Sequence, residues 1–148
     1  MIVVTGAAGF IGSNIVADLE ERGAGPIAVV DWFGEDERWR NLAKRRIDAF
    51  VSPDHLDAWL DANGREVTAV VHMGAISATT ERDVDRLVAN NINFTVRLWD
   101  WCAAHGVPFV YASSAATYGG IEHGFVDDDD VEAMAALAPL KPPLKRSA

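Results

Sequence analysis

Cysteine is nearly absent from this sequence, basic residues are few, and no long apolar run occurs. Cys102 is the only cysteine among 148 residues, so no internal disulfide bond can form. The 13 lysines and arginines against 22 acidic residues give a net charge of −9, which disfavours nonspecific binding to nucleic acids or anionic membranes. No apolar run reaches the length of a membrane span, and the N-terminus does not resemble a signal peptide. We therefore expect a cytoplasmic protein with no nucleic-acid or membrane partner.

Side chains that could bind a metal or act as nucleophiles are also poorly placed. His72, His105 and His123 lack the spacing of metal ligands. The four carboxylates at 127–130 suit a solvated helix start better than a metal site. Cys102 falls on the apolar face of a predicted helix, where packing is its expected role. The sequence therefore predicts no metal site.

The first twelve residues carry the strongest positive signal. The β-branched run at 2–5 predicts a buried strand, and apolar residues at helical spacing (Ile11, Ile15, Val16 and Leu19) predict a helix after it. Between them, Gly6 allows a sharp exit from the strand and Gly9 a close approach to a pyrophosphate. Gly12 allows the helix to pack against the strand, with its N-terminal amides facing the anion. This arrangement predicts dinucleotide binding.

A second signal lies at the end of the next apolar run. Asp31 follows 27–30 at the position where an acid binds a ribose diol, which favours NAD. Arg38 and Arg40 are close in sequence and could instead pair with a 2′-phosphate, which favours NADP. Arg38 is the preferred candidate, since Arg40 is equally suited to a solvated loop. The choice between NADP and NAD stays open.

Strands and helices alternate along the chain. Further strands are predicted at 27–31, 47–51, 67–73 and 108–112, and helices at 53–63 and 83–104. This alternation indicates an α/β fold of the Rossmann type, with a doubly wound parallel sheet in the order 3-2-1-4-5, and one domain over residues 1–148. A ligand is then expected at the carboxyl ends of the strands, beside the switch point between strands one and four.

Polar residues follow the later strands. The loop from Met73 to Ser77 is small and permits close approach of a cofactor, while Thr79 and Thr80 either face a ligand or cap the next helix. The segment 112–120 carries hydroxyls that could hold a substrate or simply form a serine-rich turn.

The long predicted helix has an apolar stripe and two unusual positions. The stripe comprises Val84, Leu87, Val88, Leu98 and Cys102. Phe94 and Trp101 fall outside it, which suggests a partner surface. Asn90 and Asn91 occupy the helix interior, where asparagine is disfavoured, so we expect one of them to meet a polar partner at the sheet edge unless both are exposed.

These motifs together resemble the extended short-chain dehydrogenase/reductases, which act on nucleotide sugars. The matching residues are the TGxxGxxG start, Asp31, the Gly74-Ala75 loop and the stretch 113–120. Segments 31–42, 72–81 and 113–120 are most similar to the branch of the family that epimerises C6 of ADP-glycero-manno-heptose with NADP. The resemblance implies a cofactor site formed by Gly6, Gly9, Phe10, Ile11, Gly12, Asp31, Trp32, Arg38, Met73, Gly74, Ala75, Ile76, Ser77 and Asn90.

The resemblance also implies what chemistry to expect. Dehydratases of the family carry an Asp-Glu pair where this chain has Ala115 and Ala116, so elimination of water is unsupported. Redox epimerisation remains, with Ser114 hydrogen-bonding the reacting oxygen. UDP-sugar 4-epimerase activity is the nearest alternative among enzymes, and a noncatalytic NAD(P)-binding or sensor module is the alternative outside them.

The family's acid/base pair, a tyrosine with a lysine four residues later, is missing from this sequence. Tyr111 is followed at that distance by Ala115, and Tyr118 by Glu122. The sequence ends about where the family's tyrosine is expected. We therefore expect a truncated, inactive member that lacks the later strands and the C-terminal sugar-binding domain, with the fifth strand at an open edge. Family members form oligomers, and the sequence does not decide whether this chain does.

Overall fold

The structure is a computed structural model that describes residues 1–78 and 80–113. Five parallel strands form one sheet in the order β3-β2-β1-β4-β5. The strands are β1 (Ile2–Thr5), β2 (Ile27–Val30), β3 (Ala49–Val51), β4 (Ala69–His72) and β5 (Phe109–Tyr111). The helices are α1 (Phe10–Glu21), α2 (Leu56–Asn63), α3 (Val84–Leu87) and α4 (Phe94–His105), with a π-helical segment (Val88–Asn93) between the last two. The predicted fold class and strand order are confirmed.

The sheet is buried on both faces because its central strands are apolar without interruption. All four residues of β2 are buried, as are the last three of β1. Successive side chains point to opposite faces, so Val3 and Val30 pack with α2 and α4, while Val4 and Val29 pack with α1. This double burial is typical of parallel sheets whose crossovers are helices.

The long predicted helix exists, but its buried face differs from the predicted stripe. Val84 is 66% exposed and Val88 37% exposed, whereas Phe94 is buried. Trp101 packs against the same core cluster as Phe94. Leu98 and Cys102 of the predicted stripe are buried. Phe94 lies four residues before Leu98 and Trp101 three residues after it in the same α-helix, so both share its buried face. The wider turn of the π-helical segment separates this face from Val84. The predicted partner surface at Phe94 and Trp101 is therefore wrong.

Two other helix predictions need correction. Ile11 is 60% exposed, so the buried side of α1 is formed by Val16 with partial burial of Ile15 and Leu19. The helix after the fourth strand is capped by Asp83, whose carboxylate accepts the Arg86 amide at 3.0 Å, and not by Thr80. Thr79 lies outside the described residues.

The edge strand β5 pairs with β4, and within the described residues no strand lies on its other side. Val110 and Tyr111 are 58% and 49% exposed. No helix in this part of the chain is both long and apolar enough to cross a membrane.

Backbone segments meet closely at the carboxyl end of β1. Gly6 adopts a left-handed φ of 63°, and a Cβ there would lie 2.7 Å from the backbone of Met73 and Gly74. A Cβ on Gly12 would overlap the carbonyl oxygen of Gly6. As predicted, Gly12 allows α1 to pack closely. Its contact is the backbone of Gly6, the residue just after β1.

We expect Gly12→Ala to destabilise the protein. Alanine is favoured over glycine in a helix by about 1 kcal/mol, but overlap with the Gly6 carbonyl should outweigh this and lower the free energy of unfolding by about 1–3 kcal/mol. Chemical denaturation measures the change, with Asn14→Ala on the exposed side of α1 as the control. A Gly12→Ala protein as stable as the parent would contradict the assigned contact.

Candidate functional site

The loop between β1 and α1 leads into a helix N-terminus whose first-turn amides have no side-chain cap. Gly9 is the N-cap of α1 and supplies no side-chain hydrogen bond, and the first helical turn holds no acidic residue. Phe10 is 84% exposed beside this terminus, so it is accessible to a ligand. A helix N-terminus attracts anions through its amides and its dipole. The predicted glycine loop therefore has the chemistry of a phosphate-binding site.

Two side chains from distant positions hold this loop at Ala8. The Ala8 amide donates to Asp31 Oδ2 at 2.8 Å, and the Ala8 carbonyl accepts from Asn41 Nδ2 at 2.8 Å. Sequence reasoning gave Asn41 no role, although it lies inside the segment 31–42 that carries the family resemblance. The loop is thus held through both backbone polar groups of one residue.

Asp31 lies at the end of β2 and is 7% exposed. Burial is the largest influence on its carboxyl group and raises its pKa, while the Ala8 amide and the Arg38 guanidinium act in the opposite direction. Because Oδ2 is bound to the glycine loop, Oδ1 is the oxygen that faces Arg38, with 3.8 Å between Oδ1 and Nη1.

Arg38 is held over Asp31 by its own short 3-10 helix (Glu37–Asn41). Asp36 caps that helix, accepting the Arg38 amide at 2.9 Å and its Nε at 2.6 Å. The carbonyl of Trp32 accepts a third bond from Nη2 at 3.2 Å. These bonds to Arg38 lower the pKa of Asp36. The guanidinium is therefore pre-oriented beside the predicted ribose site.

Arg40 points to other partners. Its Nη1 lies 3.0 Å from Glu37 Oε2, and its guanidinium lies 5.8 Å from the centre of the Trp39 ring. Of the two predicted arginines, only Arg38 lies near Asp31.

A groove of about 280 Å³ lies beside Trp32, in the loop that follows β2. Its lining includes Trp32 and Asp54, which are joined by a 2.8 Å bond from the indole Nε1 to the carboxylate. That bond is the largest influence on Asp54 and lowers its pKa. The predicted cofactor residue Asn90 lines the groove, and its Nδ2 donates to the Arg86 carbonyl at 2.8 Å.

The loop Met73–Ser77 is fixed at three residues, the first of which is Met73, whose amide donates to the Thr5 carbonyl at 3.2 Å. The Gly74 amide donates to Thr5 Oγ1 at 3.1 Å. Asn91 makes paired bonds to one residue, accepting the Ile76 amide at 2.8 Å and donating to the Ile76 carbonyl at 3.0 Å. The expectation that one of the two asparagines meets a polar partner is therefore correct, and Asn91 is that residue.

The described cofactor candidates lie at the carboxyl ends of β1, β2 and β4 or in the helices that follow those strands, with Asn90 in the π-helical segment. Ser114 and the rest of the segment 112–120 after Ser113 lie outside the described residues. Within the described part, no cluster of three or more histidines, cysteines or acidic residues could hold a metal ion. Cys102 is buried, which raises the pKa of its thiol to about 11, so it is a packing residue there.

The known proteins to which this chain is similar are epimerases. The model of the NAD dependent epimerase/dehydratase family matches residues 2–142. The chain is 45% identical to an ADP-L-glycero-D-manno-heptose-6-epimerase of Fusobacterium nucleatum subsp. nucleatum and 48% identical to one of Nitratidesulfovibrio vulgaris strain Hildenborough. Each match covers 95% of this chain and 43% of the relative, so the chain spans less than half the length of these curated relatives.

Among solved structures, UDP-glucose 4-epimerase of Thermus thermophilus in complex with NAD is similar. It superposes with a TM-score of 0.68 at 30% identity over 86% of this chain and 42% of that protein. With the family match over nearly the whole sequence, this shows that the chain belongs to the NAD dependent epimerase/dehydratase family.

Proposed function

We propose that this chain forms the cofactor-binding part of an NADP-dependent epimerase that inverts C6 of ADP-glycero-manno-heptose. The observation that carries the proposal is the identity of 45–48% to two ADP-L-glycero-D-manno-heptose-6-epimerases over 95% of the chain. The UDP-glucose 4-epimerase of similar fold is 30% identical, which makes a UDP sugar the weaker candidate.

The loops suggest where each part of a dinucleotide binds. The pyrophosphate belongs at the N-terminus of α1, where Gly9 leaves the amides open to an anion. The adjacent ribose belongs beside Asp31 and Arg38, and the adenine in the groove lined by Trp32 and Asn90. The nicotinamide end then faces Met73–Ser77, across the switch point between β1 and β4.

A nicotinamide bound beside Met73–Ser77 would supply the hydride acceptor and donor for oxidation of the sugar at C6 and its reduction from the opposite face. Ser114 would donate a hydrogen bond to the reacting oxygen, as the family resemblance implies. The proton on that oxygen needs an acid/base group with a pKa near neutrality. No Tyr-x-x-x-Lys pair occurs in the 148 residues to supply it.

The choice of NADP is supported by Arg38. A 2′-phosphate beside Asp31 would meet a guanidinium already oriented by Asp36 and by the Trp32 carbonyl. Phosphate and guanidinium form strong charge-assisted hydrogen bonds. NADP should therefore bind more tightly than NAD even though Asp31 could accept hydrogen bonds from a ribose diol.

Isothermal titration of the full 148-residue chain tests cofactor binding. We expect NADP to bind at least about tenfold more tightly than NAD, which corresponds to one charge-assisted hydrogen bond. Absence of binding by both dinucleotides would contradict the assignment of the site.

Arg38→Gln should separate the two cofactors. Loss of the guanidinium should weaken NADP binding about tenfold or more while leaving NAD binding nearly unchanged. Arg40→Gln is the matched control, because Arg40 pairs with Glu37 and lies away from Asp31. Equal losses in the two variants would exclude a specific contact between Arg38 and the 2′-phosphate.

A turnover assay tests the catalytic part of the proposal. Because the Tyr-x-x-x-Lys pair is missing, we expect the 148-residue chain with NADP to leave C6 of ADP-heptose uninverted, as followed by NMR. A noncatalytic NAD(P)-binding module is the second candidate function, because binding of a dinucleotide does not need the Tyr-x-x-x-Lys pair. Measurable inversion by this chain would show that another group performs the proton transfer.

A further inference from the structure

His72 is a buried histidine, 5% exposed, with a hydrogen-bond partner on each ring nitrogen. Nδ1 lies 2.6 Å from Thr5 Oγ1, and Nε2 lies 2.9 Å from Thr95 Oγ1. The ring also stacks on Phe109, with 5.9 Å between the ring centres. His72 is the last residue of β4 and directly precedes the loop Met73–Ser77.

The partners of Thr5 determine which ring nitrogen accepts. Its hydroxyl oxygen already accepts the Gly74 amide. Within the described residues the hydroxyl proton has one acceptor, His72 Nδ1. A buried hydroxyl that failed to donate would lose a hydrogen bond without compensation from water. Thr5 therefore donates and Nδ1 accepts.

The partners of Thr95 lead to the same tautomer. Its hydroxyl donates to the carbonyl of Asn91 at 3.0 Å, one helical turn earlier, so its oxygen can accept from His72. Nε2 then carries the proton. Burial lowers the pKa of His72, in agreement with a neutral ring.

These bonds form one directional chain from the Gly74 amide through Thr5, His72 and Thr95 to the Asn91 carbonyl. The Asn91 side chain binds Ile76 separately. The side-chain bonds that hold the loop at Gly74 and at Ile76 thus both lead to the π-helical segment, the first through the core and the second directly.

We propose that His72, fixed as the neutral Nε2–H tautomer, is a positioning residue that links the helix at Thr95 to the loop at Gly74 and holds Met73–Ser77 in the shape that binds the dinucleotide. The part of this role that concerns dinucleotide binding rests on the proposed function. The tautomer and the loop constraint can be measured without cofactor.

Thr95→Val is the informative variant, because it removes the hydroxyl and keeps a β-branched side chain of similar size. Thr95→Ser restores the hydroxyl. Val67→Ala serves as the control for general destabilisation, since it removes two methyl groups from the core near the start of β4. All variants are made in the full 148-residue chain.

In the parent chain, ¹⁵N NMR should show His72 as the neutral Nε2–H tautomer. Thr95→Val should speed hydrogen exchange of the Gly74 amide about fivefold and weaken dinucleotide binding by a similar factor, and Thr95→Ser should reverse both effects. Val67→Ala should change the Gly74 exchange rate and the affinity for the dinucleotide no more than its loss of stability explains.

A charged ring, the Nδ1–H tautomer, or unchanged Gly74 exchange in Thr95→Val would overturn the proposal. If the parent binds a dinucleotide and Thr95→Val binds it equally well, the positioning role fails while the proposed function stands. If no dinucleotide binds although the tautomer and exchange results are as expected, the proposed function fails and the loop constraint is supported.

Discussion

Close backbone packing at the end of β1 is the constraint on which the candidate site depends. The carbonyl of Gly6 occupies the space that a side chain on Gly12 would need, and Gly6 itself lies against the backbone at Gly74. Three chain segments can therefore meet without side chains between them. The N-terminus of α1 and the loop after β4 are brought to the same point, which is what an extended ligand such as a dinucleotide requires.

Around this contact, polar side chains bind the loops to one another. Asp31 is the clearest case, because one carboxylate oxygen fixes the glycine loop at Ala8 and the other faces Arg38. An acid in this position cannot be treated as a ribose ligand alone. A substitution of Asp31 would alter the shape of the phosphate loop and the electrostatics of the ribose site together.

The sheet order, the glycine loop, Asp31 and the proximity of Arg38 could be predicted because each has a local sequence pattern. The exposure of Val84 could not, because the π-helical segment that begins at Val88 shifts the helical phase without any marker in the apolar spacing. The burial of Phe94 and Trp101 follows from ordinary helical spacing to Leu98, so the predicted partner surface there was an error of periodicity. Asn41 was missed as a loop anchor, since it binds a backbone atom 33 residues away. Asn91 was named with Asn90 as a residue that meets a polar partner, but its target, 15 residues away at Ile76, was not predicted. Asn90 as a cofactor residue and Ser114 as a catalytic one stay predictions.

Among the described residues, four side chains fix the backbone of the candidate cofactor site. Ala8 is fixed by Asp31 and Asn41, Gly74 by Thr5, and Ile76 by Asn91. None of these contacts uses a residue that transfers a proton to or from a sugar. The proposed cofactor site therefore rests on loop contacts that do not involve the family's acid/base pair. The absence of a Tyr-x-x-x-Lys pair from this chain therefore bears on turnover and leaves the physical basis for dinucleotide binding intact.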